Sequence, residues 1–199
     1  MNNGIHFYET LSLFWMGLIV GITLIAKHAW AIYKKKEAIT LLQKFPRNDK
    51  FGRILLWVTM SWFWFMCLPN SPVMIPLEEF AVYRNYFLIG LPILTFFLQT
   101  AVKDFIAIRF AGFGAILWGW PVLQSHFLKY PVMHWLVPIY GIALIWFGMF
   151  AVGKPYLIRN LITWVTDTNH PKRYQIASYA GLGYGILTFL SALLFWKGY

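Results

Sequence analysis

Five histidines and seven carboxylates are the side chains in this sequence best suited to acid–base or metal chemistry. His6, His126 and His134, with Glu9, Glu78 and Glu79, fall in short polar stretches that flank long apolar runs. Imidazole nitrogen and carboxylate oxygen together suit zinc, so His6, His126, His134, Glu78 and Glu79 form a candidate metal set. The competing reading is a ring of wetted interface residues set among aromatics. A haem held between two histidines needs both at one depth, facing each other. His28 has no histidine partner inside an apolar run, so neither haem nor any other cofactor is expected. Cys67, the single cysteine, excludes an intrachain disulfide, a CxxC redox pair and a cysteine-rich zinc site; it reads as a small apolar packing residue.

Catalytic patterns are missing. The sequence holds no GxSxG elbow, no HExxH and no Walker loop. Ser61, Ser178 and Ser191 read as helix serines that bond back to their own backbone. Asn169-His170-Pro171 followed by Tyr174 resembles the Arg-His-Pro-x-Tyr motif of isoprenylcysteine-type membrane methyltransferases. The resemblance covers those few residues before the last apolar run. Asn169 stands where that motif has arginine, and Tyr174 is displaced by one position. No acidic tail follows. What it implies is a membrane enzyme whose basic loops bind an anionic substrate; the alternative is a turn that closes one helix and opens the next.

The elements that would position these residues are membrane helices. Of the 199 residues, 59% are hydrophobic, 20% aromatic and only 12% charged. A soluble domain carries about 25% charged residues and could not hide so much apolar surface in one core. The sequence reads as one all-α, polytopic membrane domain, 1–199, with six spans at about 11–33, 51–68, 86–102, 105–122, 135–152 and 175–196. Short interfacial helices are expected in the two larger loops, one ended by Pro46 and one begun by Pro155. Pro92 and Gln99 fall in the third span and Arg109 near one end of the fourth. Both Gln99 and Arg109 read as lacking a side-chain partner, with Arg109 snorkelling to the interface.

Charge orients the spans. Lys34, Lys35, Lys36, Lys44, Arg47, Lys50 and Arg53 supply seven of the 17 Lys and Arg residues in one loop. Lys103, Arg109, Lys154, Arg159, Lys172 and Arg173 fall on the same side, against Arg84, Lys129 and Lys197 on the other. Thirteen against three puts the basic loops in the cytoplasm and both termini outside, as in a bacterial inner membrane. The net charge of +10 then serves an anionic leaflet rather than nucleic acid. Lys34, Lys35, Lys36, Lys44, Arg47, Lys50 and Arg53 are the expected contacts to anionic lipid.

Small residues at four-residue spacing complete the reading: Gly17 and Gly21, then Ala107, Ala111, Ala115 and Gly119, then Ala177, Gly181 and Gly185. Such residues let helices approach closely in lipid. No Asp or Glu lies mid-span, which argues against an ion-coupled transporter. The expected function is a non-catalytic multi-pass scaffold or accessory subunit of a membrane complex, packed against other membrane subunits or itself. The alternative is a small carrier or channel for an uncharged or lipid-like solute.

Overall fold

A computed structural model describes residues 11–69, 82–102 and 104–199. Among them the chain forms eight α-helices and no strand: α1 Leu13–Tyr33, α2 Lys35–Lys44, α3 Asp49–Cys67, α4 Arg84–Ala101, α5 Ile106–His126, α6 Leu136–Gly153, α7 Pro155–Val165 and α8 Pro171–Phe195. Four of these, α1, α5, α6 and α8, are long and apolar enough to cross a membrane. At about 1.5 Å per residue, 18 to 25 residues reach roughly 27 to 38 Å, which covers the hydrocarbon slab. The molecule is therefore read as an integral membrane protein. Asp49, Lys50 and Arg53 at the start of α3, and Arg84 and Asn85 at the start of α4, make those two helices more polar at one end.

Local sequence explains the breaks. Lys34 leaves helical geometry between α1 and α2 (φ −104°, ψ 49°). Pro46 follows α2 inside a short 3-10 turn, Phe45–Arg47, and Asn48 then caps α3 by accepting from the Phe51 amide at 3.1 Å. Pro155 and Pro171 occupy the first turns of α7 and α8, where a missing N–H costs nothing. Just before α5, Phe105 lies in the left-handed region at φ 54°.

Two helix bounds differ from the sequence expectation. α5 continues through Pro121 to His126 rather than ending near 122, and α8 begins at Pro171 rather than 175. Both extensions add polar turns that carry no hydropathy signal but still close backbone hydrogen bonds.

The helices pack as two close pairs, α1 with α8 and α5 with α6; α3 leans on α5, and α4 on α3. The α1–α8 seam runs the full length of both helices. A Cβ added at Gly17 would strike the Trp196 ring at 2.4 Å, and one at Gly21 the Phe189 backbone at 2.9 Å. From α8, Gly185 lies against Leu24 and Ile25, and Gly181 lies under the His28 imidazole. On α5, Gly112 opposes Gly148 and Ala151 of α6, and Gly119 opposes Gly141 and Ile145. Each of those pairs is seven residues apart, two turns of one helix face. Leu13, Met16, Val20, Val122, Leu136, Val137, Ala192 and Trp196 form the core that joins the two pairs.

Candidate functional site

The small-residue positions do not all serve one surface. Gly17, Gly21, Gly181 and Gly185 meet inside the chain, along α1 and α8. Ala177 is exposed. Along α5, Ala107 is fully buried with its backbone against Gly52 of α3, whereas Gly119 faces α6. A four-residue step advances about 40° around a helix with 3.6 residues per turn. Three such steps therefore rotate the row from one neighbour to the next, with Ala111 and Ala115 half-buried between. Gly112, Gly141 and Gly148, which the four-residue pattern skips, hold the close approach; seven-residue glycine spacing was the signal for them.

At one end of the bundle, His126 and His134 stack with ring centres 5.1 Å apart and planes within 5°. Tyr130 lies edge-on to both rings. His134 Nδ1 is 2.7 Å from the Pro131 carbonyl, which can only accept, so that nitrogen carries the hydrogen. Lys129 donates to the Leu11 carbonyl, and burial pulls its ammonium below the usual lysine range. His6, Glu9, Glu78 and Glu79 lie outside the described residues, among which no three His, Cys, Asp or Glu side chains converge. The start of α1 meets the last residue here too: Ser12 and the Phe14 amide both donate to the Tyr199 carbonyl.

The opposite end is basic. Lys34, Lys35, Lys36, Lys44, Arg47, Lys50, Arg53, Arg109, Lys154, Arg159, Lys172 and Arg173 gather around α2, α7 and the adjoining helix ends. Arg84, Lys129 and Lys197 are their counterparts at the histidine end. Lys34 pairs with Glu37 at 3.1 Å, both exposed. Lys44, Arg47, Lys50 and Arg53 line an open recess with Asn48 and Asp49. Gln43 of α2 donates to Thr166 beyond α7 at 3.2 Å, and Arg159 of α7 stacks over Phe105 at 5.4 Å.

His170 belongs to a local cluster at this end. Its Nδ1 sits 2.8 Å from Asp167 Oδ2, while the Asn169 amide donates to Oδ1 at 2.9 Å. Arg173 approaches the same carboxylate at 3.6 Å and lies over the Trp164 ring at 4.6 Å. The His170 hydrogen bond, then the Asn169 amide, hold Asp167 below the usual carboxylate range. Tyr174 turns the other way and donates to Ala31 of α1. Asn169, His170 and Tyr174 thus form the junction between α7 and α8.

A third region lies in the flank of the bundle. Met60 and Phe63 of α3, Leu91, Leu94 and Leu98 of α4, and Phe110 and Phe113 of α5 enclose a groove of about 340 Å³. Val102, Arg109 and Val152 close its basic end. Arg109 Nη1 donates to the Val152 carbonyl of α6 at 2.6 Å, so this side chain is anchored rather than free. Its Nε is buried and has no partner among the described residues. Beyond Val102, which lines both, a polar recess of about 480 Å³ holds Asp49, Arg53, Gln99 and Thr100. Gln99 is likewise engaged, accepting from the Trp57 indole at 3.0 Å.

No protein-family model, curated protein or solved structure matches the chain.

Several hydroxyls of the long helices are spent internally, while Arg84 Nε and His126 Nδ1 are buried with no partner among the described residues. Thr23, Thr59, Thr95, Ser125 and Thr188 each bond a carbonyl of their own helix three or four residues back. Trp64 donates to Leu88 of α4 and Trp196 to Val132. His28 faces Gly181, with no second histidine across from it among the described residues. What this arrangement can do chemically is hold helices together and present one cation at the end of an apolar groove.

Proposed function

We propose that this chain is a non-catalytic, six-span membrane protein that acts as a scaffold or accessory subunit. The basic end faces the cytoplasm, both chain ends lie on the opposite side, and α2 and α7 lie along the inner interface. Lys34, Lys35 and Lys36, with Lys44, Arg47, Lys50 and Arg53, contact anionic lipid there.

The observation that carries the reading is where the helix interiors spend their polar groups. Carboxylates are absent from the middle of every long helix, and the hydroxyls of Thr59, Thr95 and Thr188 bond carbonyls of their own helix, while Ser191 donates to the Met133 sulfur. An ion-coupled carrier keeps an ionisable group on its path; here the interior is committed to packing. α4 extends the bundle mainly on α3 and leaves Ile89, Ile93, Phe96 and Phe97 exposed. A neighbouring membrane helix would cover that face.

The test is purification in mild detergent with and without replacement of Phe96 and Phe97 by Ala. A stoichiometric membrane partner, or a second copy of the chain, is expected with the parent protein and lost from the variant, with the melting temperature unchanged. A chain that purifies alone as a monomer, or a partner indifferent to those positions, overturns the subunit reading. The apolar groove beside α4 favours one second reading, a carrier for a lipid-like solute. Movement of a fluorescent lipid across vesicles containing the pure protein would select it.

A further inference from the structure

The groove between α3, α4 and α5 is the one described cavity where an apolar channel ends on a cation. Leu94, Leu98, Phe110 and Phe113 supply aliphatic and aromatic wall, and Arg109 is the only charged residue of the lining. Its volume of about 340 Å³ lies in the range of small-molecule sites. Arg109 uses one donor on Val152, has a second, Nε, buried without an acceptor, and makes no ion pair among the described residues. A guanidinium donor shielded from water and left unpaired is costly. Arg53 and Thr100 wait on the far side of Val102, in a recess that the same ligand can enter.

We infer that this groove binds one anionic phospholipid, with an acyl chain along α4 and the phosphodiester between Arg109 and Arg53. Phosphate oxygens accept from a guanidinium in a matched, forked geometry, and they supply the acceptor that Nε lacks. An uncharged solute fills the walls but leaves that donor unpaired. Free phosphate satisfies the donor but leaves the apolar walls bare. Arg109 and Arg53 against the single carboxylate of Asp49 leave the groove and recess net cationic, which favours a lipid of net negative charge over a zwitterionic one, so phosphatidylglycerol is the species expected. Depth agrees: Arg109 sits on the first turn of α5, at the end of the bundle where the basic residues gather. The site rests on the six-span reading, because α3 and α4 must lie in the bilayer for the groove to open to lipid.

The test reconstitutes the pure chain in phosphatidylcholine vesicles carrying a minor share of phosphatidylglycerol and phosphatidylethanolamine. Extraction in mild detergent and native mass spectrometry then read what stays bound. One phosphatidylglycerol per chain is expected, enriched several-fold over its share of the vesicle. Arg109→Gln should bring that enrichment to parity, and Arg109→Lys should keep most of it. Leu94→Trp, which fills the groove, should release the lipid with the headgroup partners intact. Gln at Lys34, Lys35 and Lys36 together should change nothing, since those residues lie at the start of α2 and line neither the groove nor its recess. Added phosphatidylglycerol should also raise the melting temperature of the parent more than phosphatidylcholine does, and equally little for Arg109→Gln. A parent that retains no lipid, a preference for phosphatidylethanolamine, or retention unchanged in both Arg109→Gln and Leu94→Trp overturns the site. Failure of the six-span reading would show separately, as wrong-sided labelling at the ends of α4.

Discussion

Gly112 shows how much of this molecule depends on one missing methyl group. A Cβ there would lie 2.4 Å from the Ala151 Cβ and 3.0 Å from the Gly148 carbonyl oxygen. Neither atom belongs to a flexible side-chain end, so α6 itself would have to shift. Gly112→Ala is expected to cost about 1–3 kcal/mol, as overpacking does. Gly90 and Gly183 are helical glycines with open space around them, so alanine at either is expected to gain up to ~1 kcal/mol through helix propensity. Melting in detergent checks the contrast: equal behaviour of Gly112→Ala and Gly90→Ala would mean that the α5–α6 seam is not as tight as drawn. Asp167 gives a second residue-scale prediction. Its carboxylate is favoured by His170, Asn169 and Arg173, which lowers its folded pKa below the ordinary 3.8. A lowered carboxylate pKa contributes stability above the unfolded value and loses it as pH falls through the folded one. Asp167→Asn should therefore melt below the parent at neutral pH, and the gap should close as pH drops well below 3.8. A gap that persists in acid would assign the loss to geometry rather than charge.

Among the described helices, α4 packs chiefly on one neighbour, α3. Two indole N–H groups tie it to α3, Trp57 to the Gln99 side chain and Trp64 to the Leu88 carbonyl, at opposite ends of the helix. Hydrogen bonds between membrane helices are worth roughly 0.6 kcal/mol each on average. Trp57→Phe and Trp64→Phe together should therefore loosen α4 by about 1 kcal/mol plus the lost ring contacts. Hydrogen exchange is expected to rise across residues 84–101 while α5 and α6 keep their protection; uniform change along the chain would show that α4 is not a separate unit. This is also the scale at which sequence reading succeeds and stops. Long apolar runs located six long helices within a few residues, and four of them, α1, α5, α6 and α8, are long and apolar enough to cross a membrane. The ends were less legible: α8 starts at Pro171 because a proline first turn and the Asp167 cluster open it, and neither raises hydropathy. Pairing was illegible. Gln99 looked unpartnered because its donor is 42 residues away, and Arg109 because its acceptor is a backbone carbonyl, which any residue at 152 would supply. The four-residue row on α5 looked like one surface because spacing alone hides the rotation it accumulates.

For the whole molecule, the charge partition orders everything else. Leu11 and Ser12, just before α1, meet Lys129 and Tyr199 at one end of the bundle, where Trp196 donates to Val132. α2, the 3-10 turn and α7 sit at the other with most of the cations. Lys and Arg near an anionic leaflet each gain about 1 kcal/mol, and the proposed orientation rests on that partition of a dozen against three. In that orientation the histidine stack and the Arg109 groove would face opposite sides of the membrane. Cysteine labelling tests this directly. In a Cys67→Ala background, Asn48→Cys lies in the exposed turn between α2 and α3, and Leu128→Cys in the exposed turn after α5. An impermeant maleimide added to intact cells should label residue 128 and spare residue 48 until the membrane is opened. Replacing Lys34, Lys35 and Lys36 with Gln should leave this pattern in place, because Lys44, Arg47, Lys50 and Arg53 still hold the same loop. Further loss of those four should produce a mixed population labelled at both positions. Labelling of residue 48 from outside in the parent would reverse the protein.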